Sequence, residues 1–319
     1  MGTYITIIAG IISFIVAVVL SPIIIPVLRK LKFGQSIRQI GPSWHNKKSG
    51  TPTMGGIIFI IAIGVSLMLS TKTVDVKVIF AFLCALGFGI IGFIDDFIKV
   101  VVKRNLGLHA WQKLSLQIIV AVVFVFVGLN IGELSTVIHI PFYTMDFDLG
   151  LMYIPFAIFV ILGVVNSVNL TDGIDGLATS VTIIVMLFFG IIGSNSFSLF
   201  SYITIGGLLG FLLFNKYPAR VFMGDTGSLF LGGVVASVAL LQKNPLILII
   251  VGLIYLFESL SVIIQVASFK LTGKRVFKMS PIHHHFEMTG WSEKKIVRVF
   301  TGLTIILSII AYFGSGVIN

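Results

Sequence analysis

Apolar runs recur along the whole chain, and several reach the roughly 18–20 residues that a bilayer span requires. This pattern leaves few choices of fold. Inside a bilayer every backbone polar group needs an internal partner, so only helices and closed barrels can cross it. A barrel would show ten-residue segments of alternating hydrophobicity, which are absent. The chain is 57% apolar and only 11% charged, too little charge to coat a soluble surface. The sequence therefore predicts an all-α polytopic membrane protein, residues 1–319 forming one integral membrane domain.

About ten spans can be placed. The first runs from Tyr4 to Leu28, with Pro22 and Pro26 predicting a kink rather than a break. The next four are Met54–Ser70, Val78–Ile94, Leu114–Ile131 and Leu151–Val165. Leu177–Gly193, Phe197–Phe214, Leu229–Leu241, Leu246–Val266 and Ile296–Val317 complete the set. The connector Gly132–Gly150 has the alternation of a short hairpin. Nineteen of the 22 Lys and Arg residues fall on or beside the loops after the odd-numbered spans. The positive-inside rule then puts those loops in the cytoplasm and both termini on the non-cytoplasmic side. Topology and attraction to anionic lipid account for much of the positive charge, and nothing in its pattern calls for nucleic acid. The single cysteine, Cys84, lies in an apolar run and excludes an intramolecular disulfide or a cysteine metal cluster.

Topology does not explain the acids. Eight of the twelve Asp and Glu residues fall on the cytoplasmic side by this scheme, among the basic residues. Carboxylates beside Lys and Arg suit a divalent cation and a phosphorylated ligand held together, since Mg²⁺ prefers carboxylate oxygens plus phosphate and water. Asp95-Asp96 ends the glycine-rich third span. Neighbouring residues on a helix point about 100° apart, so one carboxylate can bind a cation while the other takes a proton. The bland reading is a solvated acidic helix end. Asn166–Gly176 (NSVNLTDGIDG) and Gly224–Ser228 (GDTGS) each form a polar loop before a span, presenting a helix N-terminus suited to an anion. Asp175, Thr226 and Ser228 can equally be simple caps. Pro281–Glu287 (PIHHHFE) holds three histidines. Their consecutive spacing is poor for zinc, and imidazoles donating to phosphate or sugar suit it better. Gly50–Gly56 (GTPTMGG) follows Lys47-Lys48 and can hold phosphate, or it is only a proline-stopped helix start. Phe222 can stack on a planar base, although a lone aromatic is more often a membrane anchor.

These five motifs, in this order across nearly the whole chain, resemble the phospho-N-acetylmuramoyl-pentapeptide transferase family. That family lies within the polyprenyl-phosphate N-acetylhexosamine-1-phosphate transferases. Asp95-Asp96 and the Asp-rich loops are shared across the larger group, while GTPTMGG with PIHHHFE points to the muramoyl branch. The resemblance implies Mg²⁺-dependent transfer from UDP-MurNAc-pentapeptide to undecaprenyl phosphate at the inner face of a bacterial plasma membrane, releasing UMP. It implies Asp225 as metal ligand, Asp95 as base or activator, and Asp96 and His284 within the catalytic set. It places Lys48, Thr53, Lys113, Asn169, Asp172, Gly173, Asp175, Asn215 and Phe222 in the substrate pocket, which His283 and His285 help to close. The glycine-rich faces and the outer hairpin permit a homodimer.

Two other functions fit parts of this pattern. A related enzyme would transfer GlcNAc-1-phosphate from UDP-GlcNAc to the polyprenyl carrier. A secondary transporter would use Glu258 and Gln265, inside the ninth apolar run, as a mid-membrane coupling site. Against the transporter stand the clustering of acids at one face and the lack of an internal repeat.

Overall fold

The computed structural model describes residues 3–31, 50–70, 74–100, 107–143 and 145–316. Helices α1 (Thr3–Lys30), α2 (Gly56–Leu69), α3 (Val76–Val100) and α4 (Ala110–Asn130) come first. Strands β1 (Val137–His139) and β2 (Asp146–Asp148) pair antiparallel with Ile138 opposite Phe147, the hairpin the connector predicted. Then follow α5 (Tyr153–Thr171), α6 (Leu177–Ile192), α7 (Asn195–Asn215) and α8 (Gly224–Leu241). The chain ends with α9 (Leu248–Val251), α10 (Leu253–Thr272), α11 (Ile282–Glu287) and α12 (Glu293–Gly314). Eight described helices are long and apolar enough to cross a membrane; α2 and α6 are apolar but shorter. The chain is a multi-pass, all-α membrane protein.

Helix α8 is the centre of the bundle. Every residue from Thr226 to Leu241 is buried, as expected of a helix that is apolar or small all round. It packs against α3, α5, α2 and α6, while α1 pairs with α7 at one side. The tightest approach is α3 on α8. A Cβ at Gly92 would fall on the backbone carbonyl of Asp225, and Gly233 sits directly against Ala85. Small residues let backbones approach in a medium that offers no hydrophobic drive between helices. Polar groups inside the bundle find partners: Ser66 Oγ donates to the Ala9 carbonyl (2.7 Å), and the Thr182 and Tyr255 hydroxyls meet at 2.7 Å. The hairpin is tied down by backbone bonds from His139 to Lys243 and from Phe142 to Gly314, at the C-terminal ends of α8 and α12.

Pro22 and Pro26 lie inside an unbroken α1, in line with the expectation that they do not break it. Other sequence expectations change. The third span does not stop at Ile94: α3 continues to Val100, so Asp95, Asp96 and Lys99 all ride on it. Asn166–Gly176 is not one loop, because Asn166–Thr171 complete α5 and only the stretch from Asp172 to Gly176 turns. The ninth run is divided at Gly252, with a short α9 before it and α10 running on to Thr272. Glu258 and Gln265 then face a protein partner rather than a mid-membrane cavity. Gln265 clasps the backbone of Val276 and Phe277, and Glu258 pairs with His283. Both side chains brace the segment that leads into α11, which removes the basis for a coupling site.

Candidate active site

The end of α3, the start of α4, the end of α5 and the start of α8 meet at one point. Carboxylate oxygens of Asp95, Asp96 and Asp225 lie within 4.8 Å of one another there. Three carboxylates this close repel unless cations intervene, and α3 and α4 supply two. Lys99, one helical turn after Asp95, reaches Asp95 Oδ2 at 2.5 Å and Asp225 Oδ2 at 2.8 Å. Lys113 reaches the same Asp225 oxygen at 3.0 Å. Asn169, on the last turn of α5, donates to Asp225 Oδ1 (2.9 Å) and to Ser228 Oγ (2.7 Å). Asp225 thus has each oxygen fixed by a different helix.

The two adjacent aspartates do different jobs. Asp96 caps α8: Thr226 donates to its Oδ2 through both N–H (2.9 Å) and hydroxyl (2.7 Å), and the Asp225 N–H donates to Oδ1 (3.2 Å). A carboxylate at a helix N-terminus satisfies free N–H groups and complements the dipole. Here it also fixes the backbone that carries Asp225. Asp95 turns instead toward Lys99 and accepts from the Leu108 N–H at 2.8 Å. Thr53 is buried on the Asp96 side, where the Gly50–Gly56 stretch is laced to the segment before α8: Phe222 N–H donates to the Pro52 carbonyl and Gly55 N–H to that of Phe222, both at 2.8 Å. Lys48 lies outside the described residues.

A second group surrounds the turn after α5. Asp175 accepts from the Ala219 N–H (2.9 Å), and its own N–H donates to Glu293 (3.3 Å). Asn215 accepts from Thr179 and donates to the Val221 carbonyl, so Asp175 and Asn215 together shape the loop that presents the half-buried Phe222. Burial, and then the charges of Asp225, Asp96 and Asp175, push the Asp172 carboxyl up to about 8.

The three histidines are divided among three partners on and around α11. His283 is fully buried, with Nδ1 at 2.9 Å from Glu258 Oε2, and its ring lies against Gly173. A side chain at Gly173 would occupy the position of that imidazole. His284 Nδ1 pairs with Glu287 at 2.6 Å, and His285 Nδ1 accepts from the Lys278 N–H at 3.1 Å. The histidine segment thus contacts the Asp172–Gly176 turn through His283. Sequence reasoning counted Lys99 only as loop charge, and read Glu258 as one of the cytoplasmic-side acids and as a transporter residue. The four-residue spacing from Asp95 was the available signal for Lys99. Glu258 had none, because its partner lies 25 residues away.

The family model for glycosyl transferase family 4 matches residues 78–243, the segment that holds Asp95, Asp96, Lys113, Asn169 and Asp225. The model described as phospho-N-acetylmuramoyl-pentapeptide-transferase signature 1 matches residues 48–60. A protein of that name from Clostridium perfringens (strain 13 / Type A) is 54% identical over 308 residues, covering 95% of this chain and 96% of the relative. The chain belongs to the phospho-N-acetylmuramoyl-pentapeptide-transferase family. Relatives of the same name from Caldanaerobacter subterraneus (54% identity; 96% of this chain and 97% of the relative) and Clostridium novyi (52%; 94% of each) agree. The signature segment of the family, residues 48–60, includes the glycine stretch laced to the loop before Asp225.

Proposed function

We propose that the protein transfers phospho-MurNAc-pentapeptide from UDP-MurNAc-pentapeptide to undecaprenyl phosphate, giving undecaprenyl-pyrophosphoryl-MurNAc-pentapeptide and UMP. The observation that carries this reading is the junction of Asp95, Asp96 and Asp225 with Lys99 and Lys113, in a chain of this family. Carboxylates and ammonium groups interleaved at helix ends suit a reaction between two phosphorylated substrates. Such a reaction needs mainly alignment and charge neutralisation.

An oxygen of the lipid phosphate attacks the phosphorus that bears the sugar, and the bond from that phosphorus to the bridging oxygen breaks as UMP leaves. Asp95, fixed by Leu108 and Lys99, takes the proton of the lipid phosphate. Lys99 and Lys113 lie where phosphate charge must be balanced. Asp96 keeps the first turn of α8, and so Asp225, in register. The oxygen donors of Asp225 and its two acidic neighbours fit a hard divalent cation. Mg²⁺ held chiefly by Asp225 would neutralise the pyrophosphate and support the departure of UMP. Asn169, Asp172, Gly173, Asp175, Asn215 and Phe222, with Lys48 and Thr53, form the nucleotide side of the site. The uracil stacks on Phe222, and the histidines close over the donor, with His284 in the catalytic set. In this reading the bundle has ten spans, the site faces the cytoplasm of a bacterial inner membrane, and both termini lie outside; the asymmetry of Lys and Arg supports that orientation.

The test measures UMP release by purified protein. UMP is expected only when UDP-MurNAc-pentapeptide, polyprenyl phosphate and Mg²⁺ are all present. Turnover of UDP-GlcNAc instead would move the assignment to the neighbouring branch, and substrate flux across vesicles without UMP would end it.

The contact of Gly173 with His283 gives a further expected result. Gly173→Ala drives a methyl group into the imidazole, and the KM for the UDP-sugar should rise by about tenfold, a loss of roughly 1.4 kcal/mol. If the collision is the cause, adding Gly173→Ala to His283→Ala should cost nothing more, because the two changes share one contact. Strictly additive losses would show that Gly173 acts elsewhere.

A further inference from the structure

A cleft of about 350 Å³, lined by Tyr217, Glu287, Trp291, Ser292, Glu293 and Lys294, lies outside the group of aspartates. It falls within the range of about 300–1,000 Å³ typical of small-ligand clefts. Two of its wall residues are bonded directly to the donor side of the site: Glu293 accepts from the Asp175 N–H, and Glu287 holds His284. A third, Tyr217, sits in the loop between Asn215 and Ala219, the residue that donates to Asp175. Whatever fills the cleft is therefore a neighbour of Asp175 and His284, on a wall that does not include Asp95, Asp96 or Asp225.

Its chemistry is mixed in sign. Glu287 and Glu293 are more than nine-tenths buried. Lys294, on the same wall, rests its ammonium 5.1 Å from the Tyr217 ring, and Lys295, outside the lining, sits 4.1 Å from the Trp291 ring. Such cation–π contacts hold charge at a defined place on a flat apolar wall. A polyprenyl chain would find buried carboxylates costly neighbours, and a second phosphate would be repelled by them. A peptide that carries both carboxylates and a side-chain amine suits the two signs and the two rings together.

We propose that this cleft binds the peptide arm of the donor, its amine directed to Glu287 and Glu293 and a carboxylate to Lys294. The inference rests on the donor assignment above. The cleft then measures whether the sugar carries a full peptide before transfer begins.

The experiment compares kcat/KM for UDP-MurNAc-pentapeptide with kcat/KM for peptide-free UDP-MurNAc. The native protein should favour the pentapeptide donor, and Trp291→Ala should cut that preference about tenfold. Lys294→Ala, a change at an exposed position, should cut it several-fold and decides the matter alone if the tryptophan variant does not fold. A ratio unchanged in Lys294→Ala, or no preference in the native protein, overturns the proposal. Failure of the native protein to release UMP from either donor would instead overturn the donor assignment itself.

Discussion

Asp225→Asn should reduce UMP release by on the order of a thousandfold, in a protein that still inserts, purifies and melts as the parent does. The substitution preserves shape but keeps only one acceptor oxygen: with that oxygen accepting from Asn169, the new amide nitrogen faces the Lys99 and Lys113 ammonium groups. What it removes is one negative charge, and with it the affinity for a cation and the balance against Lys99 and Lys113. Folding should tolerate that loss, because three carboxylates within 4.8 Å repel one another and removing one relieves the repulsion. Asp95→Asn should be as damaging for a different reason. Its carboxylate does not cap α8 as that of Asp96 does, so the loss should fall on activation of the lipid phosphate. The check is single-turnover UMP release beside a thermal melt in detergent. Full activity in either variant would remove the role given to that residue.

Gly92→Val should be nearly as severe by a purely steric route. The α3 backbone approaches α8 so closely at this position that any side chain lands on the Asp225 carbonyl. The helices must part or the first turn of α8 must unwind, and overpacking of this kind costs about 1–3 kcal/mol. Activity should fall further than stability, by about a hundredfold, because a displacement near 1 Å of a reacting group is enough to do so. Gly89→Ala is the control. It lies one turn earlier on the same helix, and its new methyl would meet only side-chain atoms, Phe230 Cβ at 3.3 Å and Ile60 Cδ1 at 3.6 Å. A large loss in Gly89→Ala with little in Gly92→Val would show that the α3–α8 contact does not position Asp225.

The multi-pass helical class could be read from the sequence because a bilayer permits so few backbone solutions, and the hairpin from its alternation. The acidic cluster was partly legible too: Asp95, Asp96 and Asp225 stood out as charge in an apolar chain. The lengths of α3 and α5 were not. Asp95 to Lys99 and Asn166 to Thr171 look like loop because they are polar, yet polar residues at a helix end continue the helix whenever neighbouring helices satisfy them. Lys99 was missed for that reason. Glu258 misled in the opposite direction. A lone carboxylate in an apolar run reads as a membrane-embedded site, and only the tertiary arrangement reveals that His283 is its partner. The distinct jobs of Asp95 and Asp96 also needed the packed structure, since sequence gives their adjacency but not which one meets the α8 N-terminus.

The burial of α8 has a consequence for life in a changing membrane. Helices α1, α4 and α12 present much of their surface to the surrounding medium, whereas α8 touches almost nothing but protein. Changes in acyl-chain length or fluidity act on a protein through the helices that face lipid, by altering their tilt. Asp225 stands at the head of a rod shielded from those forces. The depth of Asp225 is thereby set by the protein and not by the bilayer, and it should hold steady when a cell remodels its lipids in the cold or the heat.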